Sequence, residues 1–134
     1  MTTPRACEVC VVLVPLAASS APAVRRRLAR DLAVAGVPAT VADDACLVLA
    51  ELVGNAVRHG APLGAGGLEV DWAIVDGSVE VRVTDGGGGV PRQRTPVPGA
   101  ESGRGLTIVD AVAATWGVER PRSGETTVWA RVSC

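Results

Sequence analysis

No lysine occurs anywhere in the 134 residues. A phosphate-binding P-loop needs a Lys to reach the β- and γ-phosphates, and a protein-kinase fold needs one on its third strand. Both are excluded, as is covalent catalysis through a Schiff base. Phe and Tyr are also missing, which removes the stacking platforms of RNA- and single-strand-binding proteins. A single histidine, His59, excludes metal sites built from several imidazoles. The formal net charge is −1, so no basic face for direct contact with nucleic acid is expected.

No apolar run approaches the length needed to cross a membrane, and the first residues lack the basic-then-apolar pattern of a signal peptide. A cytoplasmic protein with reduced thiols is the expectation. Of the four cysteines, Cys7 and Cys10 spell C-x-x-C. In a strand, residues three apart point to opposite faces, and there is no second ligand pair for zinc. These two are therefore read as small apolar strand residues. The composition is 48% hydrophobic, enough for one domain spanning 1–134 with a core of Val, Leu, Ala, Ile and Trp.

Glu8–Leu16 is β-rich and ends at Pro15. Ser19 or Ser20 can cap a helix that runs to about Ala35, with Gly36 placed to stop it. Its apolar positions Val24, Leu28, Leu32 and Ala35 keep helical spacing, and Arg25, Arg26, Arg27 and Arg30 form a solvated face. Pro38 and Thr40 open a second helix reaching His59 that is apolar nearly all round, as central helices are. Leu68–Val75 and Val79–Val83 alternate as strands around Asp76-Gly77, a strong hairpin signal. Val90–Ser102 is a polar loop, Gly103–Trp116 a third helix, and Val118–Glu119 and Thr126–Val132 closing strands around a Ser123-Gly124 turn. The order implies an α+β, two-layer sandwich with a mixed or antiparallel sheet covered by helices on one face.

Three short patterns carry chemistry. Glu51 and Asn55 lie four apart on one face of the apolar second helix, with His59 a turn further. An ionised Glu inside such a helix must be solvated, paired or bound to something. Arg58 or water would satisfy it; so would a ligand. Asp85-x-Gly87-x-Gly89 follows a strand directly. Its glycines let the backbone turn tightly beside a ligand, and its carboxylate could accept from an exocyclic amine. Gly103-Arg104-Gly105-Leu106 opens the third helix, whose free N–H groups suit phosphate.

In this order and spacing, the three patterns closely resemble the Bergerat-type ATP-binding fold of gyrase B subunits, histidine kinases and heat-shock chaperones. Within that group, Glu51–Gly60, Asp85–Pro91, Gly103–Asp110 and Thr127–Ala130 look like the anti-sigma-factor serine/threonine kinases, in the stand-alone form of their actinobacterial relatives. The resemblance implies ATP and Mg²⁺ as cofactors, with Asn55 the metal ligand and Asp85 the reader of the adenine amine. His59, Gly87, Gly89, Gly103, Arg104, Gly105, Leu106 and Thr127 would belong to the nucleotide site, and Glu51 would be the general base. The implied activity is phosphorylation of an antagonist (anti-anti-sigma) protein, regulating transcription by partner switching. A sigma factor and a second copy of the chain are further partners that the resemblance suggests. The alternative is an ATP-dependent interaction module without kinase activity.

Overall fold

The fold is described from a computed structural model, for residues 8–87, 104–120 and 124–133. Along these residues run β1 (Glu8–Val14), α1 (Ser20–Ala35), α2 (Ala39–His59), β2 (Leu68–Val75), β3 (Ser78–Asp85), α3 (Arg104–Val112), β4 (Thr115–Glu119) and β5 (Thr126–Val132). The strands form one sheet in the order β1-β2-β3-β5-β4, and every pairing is antiparallel. The expected two-layer α+β architecture is observed, with the sheet antiparallel throughout.

The β2–β3 hairpin follows its turn chemistry. Val75 pairs with Ser78, leaving a two-residue loop, and Asp76 and Gly77 both take positive φ, 50° and 81°. That geometry matches the twist of the flanking strands.

Alternation then sorts the sheet into two faces. Leu68, Val70 and Trp72 of β2, Val79, Val81 and Val83 of β3, and Ala130 and Val132 of β5 are buried on one face. Against them lie Val24, Leu28 and Leu32 of α1 and Val48, Leu49, Leu52 and Val53 of α2. Helix α2 is central, packed against α1, α3, β3 and β5, which is why its sequence is apolar nearly all round. Helix α1 is held at the sheet edge by the buried Trp72, whose indole N–H donates to Asp31 at 3.0 Å. The opposite face carries an ion-pair network on its central strands: Arg82 of β3 reaches Asp71, Glu80 and Glu119 at 3.8, 3.5 and 3.2 Å. These half-exposed pairs each contribute at most about 1 kcal/mol.

Two local expectations need correction. The third helix stops at Val112 instead of Trp116, because Thr115 and Trp116 pair with β5 and so begin β4. β-Branched and aromatic residues suit a strand, and Trp116 also donates to Asp110 at 3.0 Å, turning the chain back. Neither Ser19 nor Ser20 makes a side-chain cap; the Ser20 hydroxyl donates to the Pro15 carbonyl at 2.7 Å. The arginine face is solvated as expected, with Arg25, Arg26, Arg27 and Arg30 all exposed. Arg25 and Arg26 line a hollow of about 340 Å³ between α1 and α2, with Asp43, Cys46 and Leu47. Burial, reinforced by Asp43 and opposed by Arg25, pushes the Cys46 thiol above its ordinary pKa.

Candidate functional site

Helix α2 carries two of the polar residues singled out in the sequence. Glu51 and Asn55 are both half-buried, one turn apart on the helix. Asn55 Oδ1 is the one buried side-chain polar atom without a hydrogen-bond partner among the described residues. A buried amide oxygen left unpaired costs about 1–3 kcal/mol, so it is a group awaiting a partner. Glu51 makes no hydrogen bond or ion pair with any described residue, so Arg58 does not neutralise it. The Arg58 guanidinium lies instead over Gly54. Arg58 and His59 are exposed in the last turn of α2, where cations complement the helix dipole.

Strand β3 delivers Asp85 to the end of that helix. Asp85 follows Val79, Val81 and Val83 on the helix-facing side of the sheet and is 7% exposed. Its Oδ1 accepts the Gly87 N–H at 2.6 Å, and the Ala61 N–H also donates to the carboxylate. Burial raises its pKa above the ordinary carboxylate value; the two N–H groups and the charge of Arg120 act against this without cancelling it. The carboxylate is thus held by backbone donors on a wall formed by α2, with acceptor capacity left over. Gly87 has φ 85°, and any side chain there would collide with the Gly124 carbonyl. That close approach explains why glycine is needed.

The register of β3 and β5 decides which threonine joins Asp85. Asp85 pairs with Thr126, whereas Thr127 pairs with Thr84. Paired residues share a face, so Thr126 stands beside Asp85. Thr127, expected near the base, lies on the opposite face, its hydroxyl 2.7 Å from that of Thr84. The sequence pointed to Thr127 alone, because the register that puts Thr126 beside Asp85 is not readable locally.

Helix α3 packs alongside α2, with Val109 buried and Leu106 half-buried against the core. Arg104 and Gly105 form its first turn. Gly89, Gly103 and the loop Val90–Ser102 lie outside the described residues. Among the described residues no cluster of three or more His, Cys, Asp or Glu could hold a metal by itself, and no helix is long and apolar enough to cross a membrane. A cation held by Asn55 would therefore need ligands from elsewhere. Mg²⁺ suits such a site, since it usually takes one or two protein oxygens and completes its shell with phosphate and water.

A half-buried carboxylate and an unpaired amide oxygen on α2, with a seated aspartate at its end and α3 packed alongside, define a class: an α+β domain with a polar site along its central helix. The sequence places the chain more closely. Residues 14–132 match the family described as histidine kinase-like ATPase domain, and the chain belongs to that family. Its fold is similar to the crystal structure of the RsbU and RsbW domains of Rv1364c from Mycobacterium tuberculosis, with a TM-score of 0.71 and 23% identity. That likeness covers 94% of this chain and 32% of the other, so this chain spans about a third of that one. No curated protein matches it.

Proposed function

We propose that this domain binds ATP with Mg²⁺ and transfers the γ-phosphoryl group to a serine or threonine of an antagonist protein, regulating transcription by partner switching. The observation that carries the reading is the unpaired Asn55 Oδ1, buried one turn from Glu51 on a helix whose end meets Asp85.

Asn55 would hold Mg²⁺, which when bound neutralises phosphate charge. Asp85, with Thr126 across the ladder, would read the adenine amine. The first turn of α3, Arg104 to Leu106, would present N–H groups to phosphate, with Gly103 leading into it. Gly87 and Gly89 would let the chain pass beneath the nucleotide, and His59 would close that side of the site. Glu51 would take the proton from the attacking hydroxyl. The Oγ–P bond then forms as the bond from Pγ to the bridging oxygen breaks, and ADP carries away the electron pair. Such transfer relies mainly on positioning and charge neutralisation, and one carboxylate near the hydroxyl supplies what remains.

The partners are read in the same way: an antagonist protein as substrate, with a sigma factor and a second copy of the chain as further partners. Supporting self-association, the edge strand β1 exposes Val9, Val11 and Leu13 at 64%, 56% and 66% beside a ladder edge that no described strand pairs.

The test is transfer of label from γ-labelled ATP to co-encoded antagonist proteins in a single turnover, beside calorimetric binding of ATP and GTP. Mg²⁺-dependent preference for ATP and labelling of a Ser or Thr are expected. Binding without transfer to any antagonist would favour the interaction module. Equal affinity for ATP and GTP would refute the role of Asp85.

A further inference from the structure

Gly60 ends α2, yet its backbone does not require glycine. With φ −95° and ψ −168° it is extended, a conformation open to any residue. Gly36, which ends α1, differs: its φ of 79° is left-handed, where glycine is favoured.

What excludes a side chain at Gly60 is the Asp85 carboxylate together with the Ala56 carbonyl. A methyl carbon there would lie 2.5 Å from Asp85 Oδ2 and 2.7 Å from its Cγ, with the Ala56 carbonyl oxygen at 2.8 Å. None of these contacts is sterically tolerable, so something must move. The surrounding backbone is tied down. Gly60 N–H donates to Ala56 at 2.7 Å, and Gly86 N–H donates to Ala61 at 2.7 Å. Gly86 itself lies so close to the Pro62 carbonyl that it too lacks room for a side chain. The segments after α2 and after β3 are thus locked together, and the freest group is the Asp85 carboxylate.

We propose that Gly60 is a positioning residue for base recognition: its bare Cα lets the Asp85 carboxylate lie back against the end of α2, aimed at the exocyclic amine of adenine. The inference rests on the nucleotide reading above. A side chain at this position turns the carboxylate out of its seat and away from the Ala61 N–H. The acceptor for the amine is then misplaced, although Asp85 is still present. The glycine therefore serves base selectivity through Asp85 and touches no ligand itself.

The experiment compares ATP with purine riboside triphosphate, which lacks the 6-amino group. One charge-assisted hydrogen bond corresponds to roughly 10- to 150-fold in affinity, so wild type should prefer ATP by a factor in that range, and Asp85→Ala should abolish the preference. Gly60→Ala should bring the ratio close to one, by weakening ATP and leaving the analogue unchanged. Gly64→Ala, at a position with open space around it, should keep the wild-type ratio. If Gly60→Ala retains the preference that Asp85→Ala loses, the inference is overturned while the reading of Asp85 stands. If wild type and Asp85→Ala bind both ligands alike, that reading fails and takes the inference with it. Thermal melts decide the matter if Gly60→Ala folds poorly. The substitution should lower Tm in the wild-type background and cost much less beside Asp85→Ala. Equal losses in both backgrounds overturn it, since the conflict would then lie with Ala56 and not with the carboxylate.

Discussion

Replacing Asn55 by leucine should change stability and ligand binding in opposite directions. Oδ1 of Asn55 is buried without a partner among the described residues, and such a group costs about 1–3 kcal/mol. Leucine has the same branched shape, so it opens no cavity, and it is the better helix former by about half a kcal/mol. Asn55 is only half-buried, which places the net gain for the ligand-free protein nearer about 1–2 kcal/mol. For a chain of this size each kcal/mol moves Tm by roughly 3–5 °C. With ATP and Mg²⁺ at about a hundred times Kd, wild type should gain about 2.7 kcal/mol from binding, and the leucine variant almost none. The melting order therefore crosses: the variant melts higher without ligand, wild type higher with it. Thermal unfolding of both proteins, with and without Mg²⁺-ATP, gives all four values. A variant that is less stable without ligand would refute the account of Oδ1 as a buried unpaired group. Equal stabilisation of both proteins by Mg²⁺-ATP would refute Asn55 as the metal ligand.

Glu51→Gln should keep ATP affinity near wild type and slow transfer to the antagonist by roughly 10²- to 10⁴-fold; transfer at the wild-type rate in single turnover would remove Glu51 from the chemistry. The raised pKa of Asp85 makes two further predictions of opposite sign. In the ligand-free protein the folded state holds this proton more tightly than the unfolded chain does. Its contribution to stability is therefore full below the unfolded value of about 3.9 and is lost as pH rises through the raised folded value. Affinity for ATP should rise over that same window, because the ionised carboxylate accepts from the amine more strongly than the protonated acid does; the check is the difference between wild type and Asp85→Asn in melting and ATP titrations, and a flat difference would contradict it. Trp72→Phe removes the donor to Asp31 together with part of a fully buried ring. It should destabilise by roughly 2–4 kcal/mol in urea unfolding, and a loss below about 1 kcal/mol would show that α1 is held by other contacts.

Local signals in the sequence were enough to mark the helices, the β2–β3 hairpin and the stop at Gly36. The all-round apolar pattern of α2 requires a central helix, and Asp76-Gly77 requires a two-residue turn, because each follows from dihedral preferences and burial within a few residues. The order of Glu51, Asn55, Asp85 and the start of α3 was likewise legible, since these chemical types sit at fixed offsets from element ends. Pairing between strands distant in sequence was not. Nothing local says that β5 pairs with β3, because those contacts join segments some forty or more residues apart and are selected by the packing of the whole sheet. From the pairing of β5 come the details that local periodicity cannot carry. Trp116 leaves the third helix for β4, and Thr126 rather than Thr127 faces Asp85, because a one-residue change of register turns every side chain to the other face. The meeting of Gly60 with Asp85 is tertiary in the same sense. The sequence shows a glycine after a helix and an aspartate at a strand end, but only the folded chain places a bare Cα against that carboxylate.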